Sequence, residues 1–335
     1  MVRPVRLLIF IGMLAAALSG PSRAQQAGVP DAYAEASNWT IGIMTGTLRE
    51  TAANMASDMA LALNDGPDMR IVPMIGESSI QNVTDLFHLD NVDAAIVQSD
   101  VLTHLRRTRA LPGIEDDIQY IGKLHSAEFH VLSRMNYLCL ADLSGRKVNF
   151  GPAGSGSSLT AQAVFEANKV QVQPQYLAHS LAAERLRKGE LDAVVFVSGK
   201  PSGAFDRIRY LDGVHFLDVE FSRNLQRDYL PAIMTHDDYP DLIAPDETVS
   251  TIAVSAVLAV KKTPADSEPY AKLQRFVDRL FSRIDRFSEP PNHVKWREVA
   301  LSAPVNGWTR FPAALQWLKT HPDSAAAKAG NAQRP

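Results

Sequence analysis

The residues best placed to do chemistry lie in Gly151-Pro152-Ala153-Gly154-Ser155-Gly156-Ser157-Ser158. Glycines let a backbone come close to a ligand, and hydroxyls with N–H groups at a helix start suit an anion. Three sharper chemistries fail on spacing. A nucleotide-binding Walker loop fits Gly151 and Gly156 but meets Ser157 where its lysine belongs. A dinucleotide fingerprint needs glycine where Leu159 stands, and neither Ser155 nor Ser157 has the flanking glycines of a nucleophile elbow. What survives is a generic cradle of Gly154, Ser155, Gly156, Ser157 and Ser158, suited to a carboxylate. A plain helix cap would need only one of these hydroxyls.

Comparable turns recur along the chain. Gly76-Glu77-Ser78-Ser79 offers Ser78 and Ser79, although Glu77 repels an anion unless it points away or meets an amine. Thr45-Gly46-Thr47 is a third such turn. Gln98-Ser99-Asp100 and Ser198-Gly199-Lys200 each follow an apolar strand-like run, and ligands gather at the carboxyl ends of strands in open α/β sheets. Lys200 and Arg134 are candidate counter-ions for an acidic ligand. Glu128 and His130 share one face of a strand-like run, with His125 just before it. Lacking a third clear ligand, they read as a solvated strand face rather than a metal site. Cys139, the sole cysteine, reads as a buried packing thiol in an apolar setting and excludes an intrachain disulfide. No metal, cofactor or catalytic residue is expected. A hydrolase built on Ser155 or Ser157 would need a base, and no pattern ties His125, His130 or His179 to either serine.

These turns need a frame, and hydrophobic periodicity supplies one. Trp39–Met44, Arg70–Ile75 and Ala94–Val97 read as strands, and Leu48, Ala52, Met55, Met59 and Leu63 recur at the spacing of one buried helix face. Ile80, Val83 and Leu86 mark a second helix. The plan then repeats: strand at Lys147–Phe150, helix through Leu159–Ala167, short strand near Gln175–Leu177, helix Ser180–Lys188, strand Ala193–Val197. Alternating strands and helices imply parallel sheets. An internal echo, Asn91–Val97 against Glu190–Phe196, suggests related halves. Leu273, Val277, Leu280 and Ile284 place another helix within Asp266–Phe287, and Trp296 and Trp308 read as anchors of the C-terminal stretch.

The ends set the compartment. Arg3 and Arg6 precede an apolar run of about a dozen residues, and Ser22 and Ala24 form a small-x-small site. That reads as a signal peptide over 1–24, cleaved after Ala24, with export to the periplasm and no retained membrane span. The run is short for a bilayer crossing of about 20 residues. The chain carries 34 Lys+Arg against 37 Asp+Glu; without the three arginines of residues 1–24 the balance is 31 to 37, or −6. A mildly acidic surface argues against nucleic acid or an anionic bilayer as partner. Residues 25–37 read as a disordered lead-in and 319–335 as a disordered tail. The expected fold is α/β with two lobes, each a mostly parallel sheet flanked by helices, and a ligand cleft between them. Lobe 1 would be 38–125 plus 255–318 and lobe 2 126–254, with crossover strands near 126–134 and 248–262.

At these turns the sequence resembles the TAXI group of periplasmic receptors. Gly76-Glu77-Ser78-Ser79-Ile80-Gln81-Asn82 looks like that family's Gly-Gly-Ser-x-Glu-Asn, and Gln98-Ser99-Asp100 like its Gln-Ser-Asp. Leu143-Ser144-Gly145-Arg146-Lys147-Val148 with Gly154-Ser155-Gly156-Ser157 is similar to its Leu-x-Gly-Lys-x-Val and Gly-Ser-Gly-Thr. Leu186–Pro201 is similar to its Leu-x-x-Gly-x-Ile-Asp-Ala and closing Gly-x-Pro. There are departures: Leu48-Arg49-Glu50-Thr51 replaces an aromatic-Pro-x-Gly, Glu77 stands where a small residue is usual, and Arg146 precedes the lysine. The resemblance implies a type II-like periplasmic-binding fold and a tripartite ATP-independent (TRAP) transporter whose membrane permease subunits are the partner. It also implies an organic anion or an amino acid as ligand. An ATP-driven importer or a sensor is the alternative partner.

Overall fold

The computed structural model describes residues 39–47, 50–65 and 68–322. The signal peptide, the lead-in, Leu48 and the chain beyond 322 lie outside the described residues.

The first half of the chain opens with β1 (Thr40–Thr45), α1 (Thr51–Leu63), β2 (Arg70–Ile75), α2 (Ser79–His88) and β3 (Ala94–Gln98). Met55, Met59 and Leu63 of α1 are fully buried, as their spacing requires. β2 and β3 flank β1, both parallel to it. After α3 (Asp100–Thr108) and the single turn α4 (Ile114–Asp117) comes β4 (Ile118–Arg134), followed by β5 (Lys147–Asn149), α5 (Gly156–Ala167), β6 (Gln173–Gln175), α6 (His179–Arg187) and β7 (Ala193–Ser198). β6 and β7 flank β5 in parallel, repeating the first plan. β6 starts two residues before the expected strand at Gln175.

The two plans meet on two long strands. β4 pairs antiparallel with β10 (Thr248–Lys261), from Lys261 opposite Ile118 to Ala253 opposite Glu128. The C-terminal part of β10 pairs with β3, and the C-terminal part of β4 pairs with β7. The strand order β2-β1-β3-β10-β4-β7-β5-β6 is therefore the same pattern read from either edge. β8 (Val214–Phe216) joins β4, β9 (Leu230–Thr235) joins β10, and β11 (Thr309–Arg310) joins the start of β4. α7 (Glu268–Ser282) and α8 (Pro312–Thr320) return the chain to the first half. α8 continues to Thr320, past the expected start of the tail. This is a mixed α/β architecture in which two sets of parallel strands join on one antiparallel strand pair.

Each half packs apolar residues on both faces of its strands, which is why the strands read as unbroken apolar runs. Ile41, Met55, Leu258, Phe276 and Trp296 form one core, with Val83, Val97, Leu105 and Trp308 on the opposite face. Phe129, Val148, Val164 and Val195 fill one face of the second half, and Leu132, Phe196, Phe216 and Tyr239 the other. The internal echo has a physical basis. Asp93 accepts from Gly42 N–H at 2.9 Å and donates its own N–H to the Gly42 carbonyl. Asp192 does the same with Lys147, also at 2.9 Å. Each aspartate clips the third strand of its half to the first.

Two expectations are corrected. Glu128 and His130 are not on a solvated face: they are 3% and 0% exposed, because β4 lies inside the sheet with helices and loops over both faces. His130 Nδ1 donates to the Phe196 carbonyl at 3.2 Å, and its Nε2 accepts from the Tyr239 hydroxyl at 2.6 Å. Burial depresses its pKa to about 4, so the ring stays neutral. Cys139 is exposed rather than buried, since it caps the short 3-10 turn Leu140–Leu143 at the surface.

Candidate functional site

The polar turns collect at one narrow cleft between the two halves, with a cavity volume of about 60 Å³. From the first half come Gly46, the start of α1 (Glu50, Thr51, Ala52), the start of α2 (Glu77, Ser78, Ser79, Asn82) and the end of β3 (Ile96, Val97, Gln98). The second half supplies the start of α5 (Ser155, Gly156, Ser157) and the end of β7 (Val197, Ser198). His125, Ala127 and Ala256 of the two long strands form the floor. Three helices thus begin at the cleft. Their first N–H groups have no partner within the helix, and each helix dipole points its positive end there.

Local chemistry explains why the helices start where they do. Ser78 Oγ accepts from Gln81 N–H at 3.1 Å, and Ser155 Oγ accepts from Ser158 N–H at 3.2 Å. Both are N-caps. Ser157 Oγ accepts from Val197 N–H at 3.0 Å, tying α5 to β7. These hydroxyls do structural work as well as facing the cleft. Gly156 has a packing reason to be glycine: a Cβ there would stand 2.3 Å from Gln98 Oε1, because the Gln98 carboxamide lies across the helix start from the other half. Thr51 Oγ1 and Ser198 Oγ also meet across the cleft, at 3.3 Å.

Of the residues marked in the sequence, Gly46, Ser78, Ser79, Gln98, Ser155, Gly156, Ser157 and Ser198 stand in the wall. The others do not line it. Thr45 is buried and donates to the carbonyl of Met74, while Thr47 donates to Glu50. The Ser99 carbonyl receives the Trp308 indole N–H at 2.9 Å. Gly154 takes a positive φ of 75° beside Ser78. Ser158 is buried and bonds back to Ser155. Gly199 is covered by the Lys295 side chain. Lys200 is held by Asp238 at 2.8 Å and the Ile233 carbonyl at 2.7 Å, and Arg134 is exposed at the end of β4 beside Gly189. Asp100 is buried between the halves, where it accepts from Thr160 Oγ1 at 2.6 Å and the Tyr229 hydroxyl at 2.9 Å. Burial outweighs those two donors and pushes its pKa up to about 6.

Sequence reasoning missed Glu50, Thr51, Asn82 and His125 as wall residues. Glu50 and Thr51 had a signal, since they sit in the segment that departs from the TAXI pattern. His125 had none. Its Nδ1 lies 3.0 Å from the Ser126 carbonyl, which can only accept, so Nδ1 carries the proton and Nε2 is a bare acceptor. Burial drives its pKa down to about 3. Nε2 has no hydrogen-bond partner.

Beside the cleft, Lys295 is 1% exposed and bonds Glu128 at 2.7 Å and Glu298 at 2.6 Å. Burial pulls its ammonium down, but the two carboxylates outweigh burial and its pKa ends above the ordinary range. Glu128 also accepts from Lys200 N–H at 2.8 Å, so one carboxylate on β4 ties both halves. Among the described residues no cluster of His, Cys, Asp and Glu is arranged to hold a metal, and no helix is long and apolar enough to cross a membrane.

A two-lobed α/β frame with a polar cleft at its helix starts is the class that fold and site define. The chain belongs to the NMT1-like family, whose pattern matches residues 42–286. Solved structures to which it is similar include the alkanesulfonate-binding protein SsuA of Xanthomonas axonopodis pv. citri bound to MOPS. That similarity is 14% identity over 88% of this chain and 84% of the other, with a TM-score of 0.46. The periplasmic aliphatic sulphonate binding protein SsuA of Escherichia coli matches at 16% identity over 88% and 79%, with a TM-score of 0.42. A TctC solute binding protein from Polaromonas matches at 14% over 87% and 97%, also at 0.42.

Proposed function

We propose that this protein is an exported solute-binding receptor that captures one small ligand by closing two lobes, 38–125 with 255–318 and 126–254, over the cleft. The observation that carries the reading is the composition of the cleft wall. Two helix starts and a strand end of one half face a helix start and a strand end of the other, so one ligand can touch both at once. A ligand that contacts both lobes favours the closed arrangement by its differential affinity for it. The wall residues Gly46, Ser78, Ser79, Gln98, Ser155, Gly156, Ser157 and Ser198 are the proposed contacts. Membership of the NMT1-like family supports the reading. The TAXI-like motifs support a finer one, in which the receptor serves the membrane permease subunits of a TRAP transporter and the ligand is an organic anion or an amino acid.

The test is a metabolite thermal-shift screen of residues 25–335. A true ligand at a hundredfold excess over Kd adds about 2.7 kcal/mol of stability, a shift of several degrees. A broad screen without a hit would sink the receptor reading. Loss of uptake of the hit on deleting a TRAP permease, but not an ATP-driven importer, tests the transporter class.

A further inference from the structure

We infer that the ligand carries a protonated amine, seated against Glu50 and Glu77 in the cleft. The inference rests on the receptor reading and narrows its ligand. Among the described wall residues the only formal charges are these two carboxylates; neither Lys nor Arg is present. Of the cations beside the cleft, Lys295 is bonded to Glu128 and Glu298, Lys200 to Asp238, and Lys123 lies in the field of Glu298 and Glu128. A carboxylate ligand would therefore meet helix N–H groups and hydroxyls but no described ammonium or guanidinium, with two like charges beside it.

A second observation points the same way. His125 Nε2, on a residue 2% exposed, is a buried acceptor without a partner on the cleft wall. Its other nitrogen is committed to the Ser126 carbonyl, so the ring cannot turn a proton toward an anion. A buried acceptor without a donor is costly, and an N–H of the ligand removes that cost. Glu50 also lines the cleft. One oxygen accepts from Thr47 Oγ1 at 2.9 Å; the other lies where a Cβ on Gly46 would stand. A carboxylate has room for about four donors. Burial raises the pKa of Glu50, and a cation beside it would restore the ionised form. Glu77 is exposed at the start of α2 and is the charge a ligand would meet from solvent.

Matched pairs differing only in the amine test this on residues 25–335 by calorimetry. The probes are L-glutamate against glutarate, L-alanine against propionate, and putrescine as an amine without a carboxylate. Binding by one or more amine-bearing probes, with their amine-free partners silent, is expected. The E77Q and E50Q variants should each weaken that binding about tenfold or more. Because Glu77 is exposed, E77Q keeps the fold and its result is decisive. Putrescine binding would mark an amine as sufficient, whereas binding by the amino acids alone would mark a second contact to the carboxylate. If glutarate or propionate bound as tightly as its amine-bearing partner, or if E77Q left the affinity unchanged, the amine seat would be wrong while the receptor reading stood. Silence from these probes and from the wider screen together would remove both.

Discussion

Single residues decide how the two halves fit. Gly156 leaves the space that the Gln98 carboxamide fills from the opposite half. In G156A the Gln98 side chain must move, at the overpacking cost of about 1–3 kcal/mol. Because that side chain bridges the cleft, the cost should fall on closure: ligand affinity drops about tenfold by calorimetry, with little change in the melting temperature of the free protein. Lys295 decides something else. Among the described residues it is the one ammonium bonded to the buried Glu128 carboxylate, and K295M leaves that charge unpaired. The expected loss is about 3–5 kcal/mol in urea unfolding, and E128Q with K295M should recover much of it. If the single and double variants are equally unstable, the lysine acts through packing instead.

Among elements, the contact of α3 with α5 is a polar latch. Asp100 at the start of α3 receives Thr160 of α5 and Tyr229 from the segment before β9. A carboxylic acid whose folded pKa is raised from 3.8 to about 6 holds its proton more tightly in the folded state. Its contribution is fully present below about pH 4 and is lost as pH rises through 6, a span worth roughly 3 kcal/mol. Urea unfolding of the wild type and D100N between pH 4 and 7 checks this. The wild type should lose its advantage over D100N as pH rises, and a difference independent of pH would remove the titrating latch.

At the scale of the molecule, two strands carry every passage between the halves that belongs to the main sheet order. The pairing of β4 with β10 ends at Glu128 and Ala253. Thr51 and Ser198 face each other across the cleft at 3.3 Å. A T51C/S198C pair in a C139S background should therefore oxidise to a cross-link that holds the halves together. The locked form is expected to lose ligand uptake and regain it on reduction, as read by calorimetry with and without dithiothreitol. Unhindered binding by the oxidised form would count against capture by closure.

Much of this was legible in the chain. Apolar periodicity marks the elements because burial of one helix face or both strand faces is a local pattern. Clustered Gly and Ser mark the turns because helix starts need caps and close backbone approach. The repeat of Asp93 and Asp192 was visible as an echo for the same reason. Tertiary structure decided the rest. It drew Ser155–Ser157 and Ser78–Ser79 to one cleft and turned Ser99, Asp100, Gly199 and Lys200 to other partners. It also set Glu50 and His125 in the wall. Burial and pairing between segments 167 residues apart, as in Lys295 with Glu128, depend on which strands meet. Residue type and spacing along the chain carry no record of that. The Gly151–Ser158 turn, the strongest chemical signal in the sequence, supplies one side of a site whose charge comes from the other half.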